Sequence, residues 1–419
     1  MSGCIFFAIV VYVGTLTQNS YPFHNLIGPI ISALFSGNAI VVKGSEQTAW
    51  SSAYFVSLVR AALTACGHDP DLVHSISCWP KAADYFTGHP GISHLTFIGS
   101  KPVAHEVAKS AARSLTPLCV ELGGKDASII LDHPKGKPTD PSEMRRITST
   151  LMRGVFQSAG QNCIGIERII AMPLAYDRLT NLLKERIRKL RVGSDLDAGD
   201  GPNGVDMGAM VSPASFDRLE RIIAEAVEQG ARLLVGGHRY QHVTSPQGHY
   251  FQPTMLADVT PEMRIAQEEL FAPICVLMRA ASVDDAIRIA NSTIYGLGCS
   301  VFGPTSSAAS KAQLDKVARE SKSGMVAVND FAVFYAVQLP FGGMKGSGYG
   351  RFAGEEGLRS LCNVKSVCVD RFPALIKTSI PDKLDYPMRA GASRMGAGVV
   401  ELGYAESWKR MFQGIRKMI

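Results

Sequence analysis

Short β-branched runs alternate with helical patterns along most of this 419-residue chain, and that alternation leaves few folds open. Gly37–Lys43 (GNAIVVK) is a strand-like run, followed by Ser45 and a helical pattern from Glu46 to about Cys66. Leu72–Ser77 and His94–Ile98 are also strand-like, with helical segments expected at Pro80–Phe86 and Val103–Ser114. Such a pattern predicts a parallel, doubly wound sheet. From Leu118 onward, strand-like runs at Cys119–Leu122 and Ser128–Leu131 flank Gly123-Gly124, where a boundary between two units is expected. The second unit continues with a helix from about Pro141 to Ser158, a loop at Gly160–Gly165, a strand at Arg168–Met172, and helices at Tyr176–Leu190 and Ser215–Gln229. A glycine-rich loop, Pro340–Gly350 (PFGGMKGSGYG), lies between a strand near Met325–Val328 and a helix beginning near Gly354. Val364–Val369 alternates as an edge or exchanged strand does. The length itself favours two packed units, because a single hydrophobic core stops growing below this size.

Composition, at 46% hydrophobic and 19% charged, is that of an ordinary soluble globular protein. The net charge of +6 is modest and argues against nucleic acid as a partner. Most of it belongs to the tail, where residues 371–419 hold nine Lys or Arg against four Asp or Glu. The nine cysteines are odd in number and contain no CxxC pair, which points to reduced thiols in a cytosol-like compartment and away from a structural metal. Cys4–Val13 is continuously apolar, but it is too short for a membrane span and has no basic start, so a buried β-strand is expected. At the end of the chain Trp408, Met411, Phe412, Ile415 and Ile419 recur at helical spacing with Lys409, Arg410, Arg416 and Lys417 between them. That helix either docks on the body or meets a membrane surface or a partner.

Two residues stand out chemically. Cys163 sits in Gly160-Gln-Asn-Cys-Ile-Gly165 after a long helix, and alone it fits inert core filling as well as nucleophilic chemistry. Glu121, in Cys119-Val-Glu-Leu-Gly-Gly-Lys125, is a carboxylate among apolar residues at a strand end. Desolvation there would raise its pKa toward neutrality and make it a usable general base, although it could equally anchor the hinge through hydrogen bonds.

ELGGK followed downstream by GQNC resembles the two signature motifs of the aldehyde dehydrogenase superfamily. The likeness extends through Phe97-Ile-Gly99-Ser100, Glu269-Leu-Phe271-Ala-Pro273 and the Pro340 glycine-rich loop, over roughly residues 20 to 370. Tyr21-Pro-Phe-His-Asn25 together with GQNCIG looks most like a fungal branch, related to the meiotic sister-chromatid recombination aldehyde dehydrogenases. The resemblance implies an α/β fold of two doubly wound parallel-sheet domains, a Rossmann-type cofactor domain and a catalytic domain, plus a small oligomerisation strand. Residues 1–120 would form a partial cofactor domain and 121–345 the catalytic domain. Residues 346–371 would be a return segment with the oligomerisation strand, and 372–419 a basic extension. It also implies NAD-dependent oxidation of an aldehyde to an acid, with Cys163 as nucleophile passing through a thiohemiacetal and a thioester, and Glu121 activating the hydrolytic water. Lys43 and Glu46 would contact the adenosine ribose, and the Glu46 carboxylate would repel a 2′-phosphate, favouring NAD over NADP. Gly99 and Ser100 would meet the pyrophosphate, with Ala104 in place of a frequent second glycine. Leu122 joins the cofactor-contacting set, and Glu269 and Phe271 would hold the nicotinamide ribose and ring. The implied partners are a small-molecule aldehyde and, for an intact chain, copies of itself in a homo-oligomer, with membrane association of the full-length protein left open. The implied location is the cytoplasm or the cytosolic face of an internal membrane.

One departure bears on catalysis. The family places Trp-Asn-aromatic-Pro at the oxyanion hole, whereas this chain has Asn19-Ser20-Tyr21-Pro22, so Ser20 occupies the position of the donor Asn, or Asn19 supplies a donor shifted by one residue. Because the sequence before Tyr21 resembles the family poorly, the expectation is an N-terminally truncated chain in which Met1–Ser20 replaces the authentic segment. The alternative function is a catalytically impaired or inactive binding protein of the same fold. A cofactor-free cysteine esterase would leave Lys43, Glu46 and Gly99 without a role.

Overall fold

The β/α alternation resolves into two extended sheets. The computed structural model describes residues 4–9, 12–16, 20–133, 136–194, 204–332, 338–367, 369, 374 and 379–419. The chain divides into one unit of Met1–Phe7 with Val364–Ile419 and another of Ala8–Asn363.

Within Ala8–Asn363, the first sheet has six strands in the spatial order Gly348–Tyr349, Leu118–Glu121, His94–Ile98, Tyr12–Leu16, Ala39–Lys43, Val73–Ile76. All neighbours are parallel except Gly348–Tyr349, which runs antiparallel to Leu118–Glu121. Successive strands after Tyr12–Leu16 are added on one side, and then, from His94–Ile98, on the other. The winding therefore reverses at Tyr12–Leu16, and a crevice opens at the carboxyl ends of such strands.

The second sheet has seven strands, ordered Met325–Val328, Gly298–Phe302, Ala127–Ile130, Arg168–Ala171, Ile274–Arg279, Thr254–Ala257, Arg232–Val235, of which only the last is antiparallel to its neighbour. The chain passes from one sheet to the other between Glu121 and Ala127 and returns to the first at Gly348. Helices Pro141–Phe156, Pro173–Ile187 and Phe216–Glu228 cover the second sheet with apolar stripes. In the last of these Phe216, Leu219, Ile222, Ile223 and Ala226 are buried, a helical period that turns one face to the core. Each large aliphatic side chain so buried contributes about 1.5–3 kcal/mol. The helix expected to start at Tyr176 begins instead at Pro173. A proline in the first turn lacks only an N–H that would have no intrahelical partner.

The apolar run expected as one strand, Cys4–Val13, is divided. Cys4–Ile9 pairs with Cys362–Val367 in a two-stranded sheet, and Tyr12–Leu16 enters the six-stranded sheet. Apolar continuity cannot reveal that two different sheets take its two halves.

In the other unit, helices Ala392–Gly403 and Trp408–Met418 pack on each other. A Cβ on Gly398 would lie 2.6 Å from the Gly414 carbonyl oxygen, so glycine at both positions lets the backbones meet. The first helix escapes detection in the sequence because three glycines interrupt its pattern. Among the described residues, no helix is long and apolar enough to cross a membrane.

Candidate active site

Glu121 ends its strand between Ile98 and Gly348 and is only 2% exposed. Burial raises its carboxyl from an ordinary 4.5 to about 7, overcoming the opposite effect of the Gly123 N–H, which donates to Oε1 at 2.9 Å.

Cys163 is delivered by an unusual turn. After helix Pro141–Phe156 the chain passes through Ser158, Ala159 and Gly160 at φ 54°, 53° and 71°. For the two residues that bear a Cβ, left-handed backbone costs on the order of 1–2 kcal/mol each. A Cβ at Gly160 would lie 2.1 Å from the Ala272 carbonyl oxygen, so glycine alone lets this loop touch the Phe271–Pro273 segment. Cys163 then packs with Ile164, Leu297, Met325, Ala327 and Phe341, and its Sγ lies 4.0 Å from Asn162 Oδ1. Burial pushes the thiol well above its ordinary 9.0, and negative charge on Glu121, Asp126 and Glu269 raises it further. Burial also raises all three of these carboxyls. Of these groups Glu121, raised to about 7, is the one placed to ionise near neutrality.

A buried frame that was not anticipated from the sequence holds these parts together. Lys125 Nζ lies 2.6 Å from Glu167 Oε2, and the Glu167 carboxylate also accepts the N–H groups of Leu270 and Phe271. Arg168 donates to the carbonyls of Lys125, Ile289 and Ala290. The available signal was Glu167-Arg168 breaking an otherwise apolar run, since buried charges of this kind require partners. Phe271, with φ 53°, is held in place by this carboxylate. Glu269 folds over the hinge glycines: Gly124 N–H donates to its Oε1 at 3.1 Å, and a Cβ on Gly123 would lie 2.2 Å from that oxygen. Leu122 sits alongside, its N–H donating to the Ser347 carbonyl at 3.1 Å. Glu121, Leu122, Cys163, Glu269 and Phe271 thus converge where the two sheets meet.

Lys43, Glu46, Gly99 and Ser100 gather separately, at the carboxyl edge of the six-stranded sheet, around a cleft of about 270 Å³. Lys43 and Glu46 are paired at 2.6 Å. Ser100 precedes helix Lys101–Ala112, whose N-terminus has no side-chain cap, so its first N–H groups suit an anion such as a pyrophosphate. Ala104 is accommodated as a buried residue in that helix. A paired carboxylate and ammonium beside an uncapped helix start fit the ribose and phosphates of a dinucleotide.

Ser20 is buried, and its carbonyl accepts the Asn25 side-chain amide at 2.7 Å. Asn19 lies outside the described residues. Tyr21 follows at φ 47°, with its hydroxyl 3.3 Å from Ser158 Oγ, which ties the segment to the turn before Cys163. A largely apolar groove of about 520 Å³ runs along helix Pro22–Phe35, lined among others by His24, Ile31, Phe35, Phe341 and Phe352. Phe341 belongs to the same hydrophobic cluster as Cys163, and Phe352 packs against that cluster.

Residues 12–367 match the model of the aldehyde dehydrogenase family. A Saccharomyces cerevisiae protein described as aldehyde dehydrogenase-like is 54% identical over 387 residues, 91% of this chain and 58% of that protein. The chain thus spans under two thirds of that relative's length. Human aldehyde dehydrogenase 1A1 is 33% identical over 85% of this chain and 66% of its own. Aldehyde dehydrogenase C of Pseudomonas syringae, solved as a cysteine-to-alanine mutant with NAD+ and octanal, superposes with a TM-score of 0.76 at 27% identity, covering 87% of this chain and 70% of that one.

Proposed function

The chain belongs to the aldehyde dehydrogenase family, and from that premise we propose that it oxidises an aldehyde to a carboxylic acid with NAD. The observation that carries this reading is the buried Glu121 carboxyl, poised at about 7 within electrostatic reach of the buried Cys163 thiol. Cys163 passes its proton to the Glu121 carboxylate, which later sheds it to solvent, and its sulfur attacks the aldehyde carbon, forming a thiohemiacetal. When bound at the cleft lined by Lys43 and Ser100, NAD would supply the hydride acceptor for this intermediate, whose hydroxyl proton passes to solvent as the thioester forms. Glu121 then takes a proton from water, the resulting hydroxide adds to the thioester carbonyl, and the acid departs as the sulfur recovers a proton. Lys43 and Glu46 hold the adenosine ribose, Glu46 disfavours a 2′-phosphate, and the Lys101–Ala112 helix start holds the pyrophosphate. Glu269, Phe271 and Leu122 position the nicotinamide end. The groove along helix Pro22–Phe35 suits an apolar aldehyde.

A second reading, a cofactor-binding protein with impaired catalysis, is favoured by Ser20 at the oxyanion position. The loss of one such donor costs about 10² to 10³ in rate. NADH formation with a panel of aliphatic aldehydes separates the two. Turnover that Cys163→Ser abolishes supports the first, whereas NAD-induced thermal stabilisation without turnover supports the second.

A further inference from the structure

Helix Trp408–Met418 has an exposed apolar face that oxidation chemistry leaves without a role. Trp408, Phe412, Ile415 and Ile419 follow one another at helical spacing and are 75%, 65%, 37% and 90% exposed. The side that meets the neighbouring helix is a different one, centred on Gly414, where a Cβ would lie 2.9 Å from the Gly398 carbonyl oxygen. Lys417, on the packed side, pairs with Glu401. Lys409, Arg410 and Arg416 are exposed, and the helix contains no acidic residue. The hairpin thus fixes one face internally and presents a second face of aromatic and aliphatic groups, with Lys409 and Arg416 along its border by helical angle.

We infer that this helix is a membrane-surface anchor that lies in the headgroup region of an anionic bilayer with Trp408, Phe412, Ile415 and Ile419 turned toward the acyl chains. Its 11 residues are too few to span a bilayer. A basic amphipathic helix with an aromatic apolar face has the composition of interfacial helices. An anionic lipid surface answers both features together, since hydrocarbon receives the stripe while phosphate and carboxylate groups receive its cationic border. The surplus of nine Lys or Arg over four Asp or Glu in residues 371–419 adds to that attraction. The inference is independent of the catalytic reading, so loss of one leaves the other standing.

The test uses the full chain with vesicles of phosphatidylcholine alone or mixed with phosphatidylserine, read by co-sedimentation and by Trp408 fluorescence in a Trp50→Phe/Trp79→Phe background. Sedimentation with the mixed vesicles and a Trp408 blue shift are expected. Neutralising Lys409 and Arg416 to Gln, both exposed and on the border of the apolar face, should weaken binding roughly twenty-five-fold, at about fivefold per charge. Phe412→Ser/Ile415→Ser should abolish binding, with the charge variant as a control that leaves hairpin packing untouched. Failure of the unmodified chain to sediment, or binding indifferent to both lipid charge and the two neutralisations, overturns the inference. So does a Trp408 shift that depends on protein concentration without lipid, which would assign the face to a second copy of the chain.

Discussion

Replacing Glu121 with Gln should separate catalysis from stability in opposite directions. The carboxyl is raised from 4.5 to about 7 when folded, so the folded state holds this proton more tightly than the unfolded chain. Below the unfolded value both states are protonated and no difference exists. As pH rises toward the folded value, ionisation favours the unfolded chain, and a shift of this size removes about 3 kcal/mol of stability above neutrality. Gln cannot ionise and still offers Oε1 to the Gly123 N–H. The variant should therefore match the parent near pH 4 and exceed it by up to about 3 kcal/mol near pH 8, measured by urea unfolding. On the proposed mechanism, the same change leaves Cys163 free to form the thioester, its proton then passing directly to solvent, but removes the base that activates water. Rapid mixing with aldehyde and NAD should give a burst of one NADH per active chain, followed by a steady rate lowered about 10²- to 10⁴-fold. In the parent the deacylation rate should rise with pH through about 7, as the base ionises. An unchanged steady rate in Glu121→Gln, or a stability difference equally large at acid and alkaline pH, would refute both the assigned role and the desolvation argument.

Lys125→Met leaves the Glu167 carboxylate buried without its ammonium, and chemical unfolding should show a loss of about 3–5 kcal/mol, most of it recovered in Lys125→Met/Glu167→Gln. Gly160→Ala drives a Cβ into the Ala272 carbonyl at a left-handed residue, so thermal unfolding should fall and Cys163 alkylation by iodoacetamide should change, whereas the same substitution at Gly208, which has open space around it, should be nearly silent. On the reading that Ser20 stands at the oxyanion position, Ser20→Asn would provide an amide donor there, and kcat should rise by about 10² to 10³. No rise in kcat would place the oxyanion donor elsewhere.

Much of this protein is legible without coordinates. Strand and helix periods of two and 3.6 are local, so the β/α alternation and a parallel, doubly wound arrangement follow from residues close together in the chain, while the division into two such sheets is implied by the resemblance of the motifs around Glu121 and Cys163. Tertiary structure alone decided which strands pair: nothing local tells Cys4–Ile9 to join Cys362–Val367 while Tyr12–Leu16 enters another sheet. The frame linking Lys125, Glu167 and the amides of Leu270 and Phe271 joins segments far apart in sequence. Gly160 declares its purpose only once the Ala272 carbonyl is beside it. The motifs name Glu121 and Cys163, but the state of their protons depends on how much water surrounds them, and desolvation is set by every atom that packs nearby, whatever its distance along the chain.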